Sequence, residues 1–205
     1  MLTKYFTGIL SCILIIGGCT VPATKPSANL KSQAKAIDNP FYKESSLYFK
    51  YPQFDKIKNE HYTPAFQKGM AEHMEEVESI ANSNEAPTLD NTIIALEISG
   101  ALLNRVATVF FSLISANTND EMEDIQSEMA PKLSTHNDQI LLNGNLFERV
   151  SIVYESRNDL NLDAESVRLI EKYYIDFVRS GAKLSSKEKE RLKSINSEMA
   201  VLQTT

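Results

Sequence analysis

The chain has no tryptophan, and its two cysteines both lie within the first 19 of its 205 residues. The body that follows Cys19 therefore has no thiol for a disulfide, a thiolate nucleophile or a cysteine-ligated metal site. Glycine and proline are scarce, at seven each, so long segments run unbroken and favour helices over short strands. The formal net charge of −6, without any basic stripe, argues against nucleic acid as a partner.

Motifs that carry catalysis by themselves are missing from the sequence. His61, His73 and His136 are the only histidines, and none belongs to a His-Glu-x-x-His run of the kind that holds zinc on a helix. The sequence also lacks a Gly-x-Ser-x-Gly nucleophile elbow, a phosphate-binding loop and a dinucleotide fingerprint. His73 and Glu76 lie three residues apart, but such a pair is more typical of a solvated polar face. We therefore predict no catalytic, cofactor-binding or metal-binding residue, and a structural role for His61.

Two acidic runs are the other candidates for a cation site. Negative charge suits the first turn of a helix, so we interpret the later run as a solvated helix start rather than a cation site. We interpret the earlier run as a solvent-facing helix surface. The later run is Glu121, Glu123, Asp124 and Glu128, and the earlier one is Glu72, Glu75, Glu76 and Glu78.

The N-terminus has the pattern of an export signal. Residues 6–16 are an apolar run of signal-peptide length, too short to span a bilayer as a helix. Ile16-Gly17-Gly18-Cys19 resembles a bacterial lipobox, in which the cysteine is acylated; an ordinary signal peptide with a chance cysteine is the alternative. We predict a signal peptide over 1–18, a lipid anchor at Cys19 and a flexible tether over 19–38. Thr20, where an Asp would favour inner-membrane retention, favours the periplasmic side of the outer membrane.

Residues 39–205 are predicted to form one all-α domain of six helices. Residues 39–58 lack helical periodicity, and we expect an extended arm that packs its Phe and Tyr side chains on the helices. Thr63 and Pro64 suit the start of the first helix. The second helix, capped by Thr88 or Asp90, is apolar nearly all round to residue 116 and should be central, with Gly100 marking a bend or close packing.

The remaining helices are predicted from their capping residues. The third opens at residues 117–119 with a kink near Pro131, and a turn at 143–145 precedes a short fourth helix. Asp163 caps the fifth helix and Gly181 stops it. Ser185 and Glu188 form a capping box for the sixth, whose apolar residues are Leu192, Ile195, Met199 and Leu202. No stop signal follows the sixth helix, which favours a truncated domain over a frayed terminus.

Several segments in order resemble one enzyme family. They are residues 54–66 (FDKIKNEHYTPAF), 86–92 (APTLDNT), 95–97 (ALE), 99–103 (SGALL), 109–111 (VFF), 116–119 (ANTN), 176–179 (DFVR), 181–182 (GA) and 184–185 (LS). From about Asn39 onward the chain resembles the N-terminal helical portion of peptidyl-dipeptidases of the thimet-oligopeptidase family, closer to the dipeptidyl carboxypeptidase branch than to oligopeptidase A.

The resemblance implies a two-lobed, mostly helical zinc metallopeptidase that releases C-terminal dipeptides from short peptides in a deep channel. Its zinc ligands lie on a His-Glu-x-x-His helix with a further Glu, which this sequence lacks, so no site residue carries over. We interpret the chain as a channel-wall portion that is inactive alone and marginally stable in isolation. A second possibility is that it associates with a separately encoded catalytic half. The alternative is a surface-tethered helical binding or scaffold lipoprotein without catalysis.

Overall fold

The computed structural model describes residues 38–204, and within that range the chain forms seven α-helices and no strand. The helices are α1 (Tyr62–Ala81), α2 (Ala95–Ile98), α3 (Ala101–Ala116), α4 (Asp120–Leu141), α5 (Gly144–Ser156), α6 (Ala164–Arg179) and α7 (Ser186–Leu202). The all-α prediction is confirmed. Cys19 and the predicted signal peptide lie outside the described residues.

Most helix starts carry the predicted capping residue. The side chains of Thr88, Asn119, Asp163 and Ser185 each accept a hydrogen bond from a backbone N–H in the first turn that follows. Such a cap satisfies one of the N–H groups that a helix start leaves without a partner. The turn predicted at 143–145 is displaced, because Asn143 is itself a cap and Gly144 is the first residue of α5.

The start of α1 differs from the prediction. The helix begins at Tyr62 with His61 before it, so Thr63 and Pro64 lie inside the first turn instead of capping it. Proline is tolerated there because N–H groups of the first turn have no intrahelical acceptor. His61 is buried, and its Nδ1 accepts a hydrogen bond from the Lys58 N–H at 3.0 Å. The structural role predicted for His61 is confirmed.

The predicted second helix is divided in two. A π-helical turn (Leu89–Ile94) runs into α2, and α3 starts only after a break at Ser99 and Gly100. Gly100 has φ +68°, and a Cβ there would lie 2.9 Å from the His73 ring, so both a bend and close packing require glycine. Leu89–Ala116 is long and apolar enough to cross a membrane by length and composition alone. The full burial of Val106 and Phe110 identifies α3 as a core helix instead.

Two hydrophobic clusters share α1. The first joins its second half to α2, α5 and α6 around Val77, Ile93, Val150 and Phe177. The second joins its first half to α3 and α4 around Phe66, Val106, Phe110 and Met129. Because α1 contributes to both clusters, it is the element on which the other helices are assembled.

The arm at residues 39–58 does not pack as predicted. Phe41 is the one aromatic residue of this segment that is buried, and Arg105 Nε donates to its carbonyl oxygen at 3.0 Å. Tyr48 and Phe49 are 83% and 86% exposed. The prediction was wrong because the backbone does not stay extended there: Phe49 and Lys50 lie in the left-handed region at φ 55° and 59°.

Helix α7 lies on α4 without entering either cluster. None of its described residues is buried, including the four apolar residues that the sequence pattern places on one face. Polar contacts attach it instead. Asn196 Nδ2 donates to Asp138 Oδ1 at 2.7 Å, and Lys189 Nζ donates to the Leu142 carbonyl oxygen at 3.0 Å. The apolar face of α7 is therefore only half covered.

Candidate functional site

Three polar side chains from different elements meet beside the break before α3. His73 lies on α1, His136 on α4, and Ser99 directly precedes Gly100. His73 Nδ1 is 3.0 Å from His136 Nε2, and His73 Nε2 is 3.2 Å from Ser99 Oγ. Ser99 Oγ in turn donates to the Leu96 carbonyl oxygen at 2.7 Å. We name these three residues the His73 cluster.

The hydrogen bonds of the His73 cluster fit one direction of donation. Because Ser99 gives its proton to the Leu96 carbonyl, its oxygen accepts from His73 Nε2–H. His73 Nδ1 is then an acceptor for His136 Nε2–H. A nucleophilic serine needs the opposite polarity, with its hydroxyl proton directed at the histidine. The cluster is thus arranged as a structural hydrogen-bond chain and not as a nucleophile with its base.

Burial controls the charge of both imidazoles. Removal from water, together with the smaller effect of the neighbouring His73, lowers the pKa of His136 to about 4. Burial also lowers the pKa of His73, against an opposing effect of Glu76. Both rings are therefore neutral at pH 7. The interpretation of His73 as part of a solvated face was wrong, because the break at Gly100 folds over its ring.

The donor set does not fit a zinc ion. Two imidazole nitrogens face each other in the His73 cluster, but zinc sites in proteins use at least three protein ligands. Among residues 38–204 there is no group of three or more His, Cys, Asp or Glu side chains that could hold a metal ion. Glu76, the nearest predicted partner of His73, uses its carboxylate to accept the Gly100 N–H at 2.7 Å.

The acidic runs are solvated, as predicted. The carboxylates of the later run are exposed along the start of α4, where Glu121 accepts from Asn59 Nδ2 and Glu128 pairs with Lys132. In the earlier run Glu72 pairs with Lys68, and its neighbours on α1 face solvent. These carboxylates contribute to solubility and helix termini.

An open groove runs from the His73 cluster across α4 to α7. It consists of two adjoining cavities of about 510 Å³ and 610 Å³, the first against α3 and the second against α7. Both cavities are lined by Phe111, Leu133, Ser134 and Asn137, so they form one surface. We name it the α3–α4–α7 groove.

Both carboxamides and apolar side chains line this groove. The apolar side chains include Phe111, which is 41% exposed, and Met199, which is 50% exposed. Its one carboxylate, on Asp138, is buried and accepts from Asn196. Carboxamides donate and accept hydrogen bonds without charge, as the backbone of a peptide does. The carboxamides are those of Asn104, Gln126, Asn137, Asn196 and Gln203.

Sequence reasoning missed both the His73 cluster and the groove. His73 and His136 are 63 residues apart, and the residues of the groove come from three helices. Cys19, the one site residue that the sequence predicts, lies outside the described residues.

Comparison with known proteins gives two relatives and no matching family model. The chain is 44% identical over 164 residues to a dipeptidyl carboxypeptidase of Escherichia coli (strain K12) and 43% identical over 164 residues to that of Salmonella typhimurium (strain LT2). Each match covers 80% of this chain but 24% of the relative. The chain therefore spans about a quarter of the length of the curated relatives it matches.

Proposed function

We propose that this chain, a member of the peptidyl-dipeptidase family, forms part of the wall of a peptide channel. Its match covers about a quarter of the length of two dipeptidyl carboxypeptidases. In this proposal it is the N-terminal, helical portion of a zinc-dependent peptidyl-dipeptidase. The complete enzyme releases dipeptides from the C-terminus of short peptides. Residues 38–204 enclose the substrate, and the catalytic residues belong to polypeptide outside this range.

The observation that carries the proposal is the composition of the α3–α4–α7 groove. A channel for peptides of varied sequence needs hydrogen-bonding groups for the backbone and uncharged surface for side chains. The carboxamides of Asn137 and Asn196 supply hydrogen-bonding groups. The side chains of Phe111, Leu133 and Met199 supply uncharged surface. Such a groove favours peptides over phosphorylated or strongly charged ligands.

In this proposal residues 38–204 do not bind zinc, since their donor side chains do not fit a zinc site. Its ligands would come from polypeptide outside residues 38–204, either on the same chain or on a separately encoded catalytic half. Where a separate half exists, zinc-dependent peptidase activity should co-purify with this chain. Activity from residues 38–204 with zinc alone would contradict the proposal.

A chimera tests the wall assignment. The matched segment of the Escherichia coli relative is replaced by that of this chain, and release of dipeptides from short peptides is measured. Phe111→Ala together with Asn137→Ala should lower kcat/KM about tenfold, which is about 1.4 kcal/mol of lost binding. Ile152→Ala, at a 43% exposed position on α5 outside the groove, is the matched control.

The chimera gives two informative failures. Equal activity of the groove and control variants would show that the groove does not face the peptide. A chimera that folds and binds zinc but has no peptidase activity would argue against the family function of this segment.

The cellular location is a second part of the proposal. An apolar run followed by Gly17-Gly18-Cys19 supports export and lipid attachment at Cys19, on the periplasmic side of an outer membrane. Metabolic labelling with a fatty acid should mark the parent chain but not Cys19→Ser. Label that survives this substitution would contradict attachment at Cys19.

A further inference from the structure

The tip of the arm exposes a group of large apolar side chains that the proposed function does not account for. We use the name aromatic tip for residues 47–54 of the arm. Large apolar side chains are normally covered, yet here several are exposed in a short stretch. Their exposed fractions are 47% for Leu47, 83% for Tyr48, 86% for Phe49, 62% for Tyr51 and 42% for Phe54.

The rings of the aromatic tip contact each other rather than the core. The centroids of Tyr48 and Phe49 are 4.2 Å apart, and those of Tyr51 and Phe54 are 5.7 Å apart. The consecutive left-handed residues Phe49 and Lys50 hold these rings outward without a glycine. Such backbone is costly for residues with a Cβ, and it occurs where a local conformation has a use.

Charge separates the arm from the helical body. Residues 40–58 carry four lysines against two acidic residues, whereas residues 59–205 carry 13 basic against 24 acidic residues. All four lysines of the arm are exposed, and Lys50 is paired with Glu44 at 2.7 Å. Lys43 thus precedes the aromatic tip along the chain and Lys56 and Lys58 follow it, while the helical body is acidic.

We propose that the aromatic tip binds the surface of an anionic membrane, with its rings at the level of the lipid headgroups. Aromatic side chains are enriched at that level, and exposed lysines are attracted to anionic lipids. The acidic helical body is repelled by the same surface, which orients the molecule with the tip toward the lipid. This binding is separate from any lipid attached at Cys19.

The position of the arm keeps the groove free. Arg105 and Val109 on α3 contact the arm, while Asn104, Ala107 and Phe111 line the α3–α4–α7 groove. At 3.6 residues per turn these two sets lie on roughly opposite sides of the helix. A membrane at the tip therefore leaves the groove open to solvent.

The test uses the absence of native tryptophan in this chain. Phe49→Trp places a single indole in the tip of the full chain. Emission is recorded with phosphatidylcholine vesicles, with and without phosphatidylglycerol, and with lipids brominated in their acyl chains. Because the indole reports its own surroundings, attachment of the chain through other residues does not produce the signal.

With phosphatidylglycerol present, the indole at position 49 should shift to shorter wavelength and be quenched by brominated lipid. Ile98→Trp is the matched control, since Ile98 is 71% exposed beside Glu75 and Glu76 on the body, and its emission should not change. Lys43→Gln and Lys56→Gln should each weaken vesicle binding about fivefold. Tyr48→Trp is a second reporter should Phe49→Trp not fold.

Three results would overturn the proposal. The first is an unchanged emission at both tip positions while the chain sediments with anionic vesicles. The second is an equal shift at position 98, which would mean adsorption of the whole surface. The third is a blue shift without vesicles that grows with protein concentration, which would assign the tip to contact between copies of the chain.

Discussion

At the scale of single residues, the pair formed by buried His136 and half-buried His73 makes the fold sensitive to acid. His73 and His136 have pKa values lowered by burial, that of His136 to about 4. The unfolded chain, where histidine titrates near 6.5, therefore binds more protons than the folded chain at intermediate pH. The stabilisation is fully present above about pH 6.5 and is lost as the pH falls toward about 4.

We predict that the free energy of unfolding drops by up to about 3 kcal/mol between pH 7 and pH 4 from this pair. Urea unfolding followed by circular dichroism at a series of pH values measures it. His136→Gln keeps a polar group near His73 but cannot gain a proton, so its pH profile should be flatter. Parallel profiles for the parent chain and His136→Gln would show that the pair does not control acid stability.

No local signal in the sequence indicates the pair. A histidine on a polar stretch of α1 has the same pattern whether it is solvated or covered, and here the break at Gly100 covers it. Arg149 is a similar case. It is 6% exposed and donates to the carbonyl oxygens of Ser83 and Glu85 and to the side chains of Asn91 and Thr92. Its acceptors lie in residues 83–92, more than 50 residues earlier, so only the folded chain reveals them.

At the scale of elements, the contact between α1 and α3 depends on one glycine. A Cβ on Gly69 would lie 2.9 Å from both the Cα and the backbone N of Leu103. Backbone atoms cannot move aside as a side chain can, so Gly69→Ala has to separate the two helices. We predict a destabilisation of about 2 kcal/mol, typical of an overfilled core, measured by urea unfolding.

Gly144→Ala is the matched control. Nothing lies within 4 Å of a Cβ at Gly144, and the residue is the first of α5. Because alanine restricts the unfolded chain more than glycine does, this change should be neutral or stabilise by about 0.5 kcal/mol. Equal losses for the two variants would mean that the α1–α3 approach is not tight.

The elements themselves were mostly predictable, since caps and periodicity are local. Thr88, Asn119, Asp163 and Ser185 cap helices in the structure as their sequence context indicates. The arm was not predictable, because aromatic residues in a non-helical stretch usually signal packing. Whether they pack or point outward depends on the backbone at Phe49 and Lys50, which composition does not determine.

At the scale of the whole molecule, the helical body combines a packed interior with an exposed apolar groove. The sequence led to the expectation that the isolated chain is marginal or molten because apolar faces stay wet. In the structure both hydrophobic clusters are closed, with Phe66, Val77, Phe110 and Phe177 at most 1% exposed. Phe111 and Met199, in contrast, are exposed at the α3–α4–α7 groove. Apart from the aromatic tip, the groove is thus a main site of exposed apolar surface, and the interior is packed.

We therefore predict that a dye for apolar surface binds the folded chain at the groove in addition to the aromatic tip. Phe111→Ser together with Met199→Ser should reduce dye fluorescence and leave the thermal midpoint within a few degrees, because both side chains are already about half exposed. Ile98→Ser, at a more exposed site outside the groove, should leave dye binding unchanged. A molten interior would behave differently, with a broad thermal transition and dye binding that both variants retain. Dye binding that follows the groove variant alone would show that the apolar surface belongs to a folded chain, as a channel wall requires.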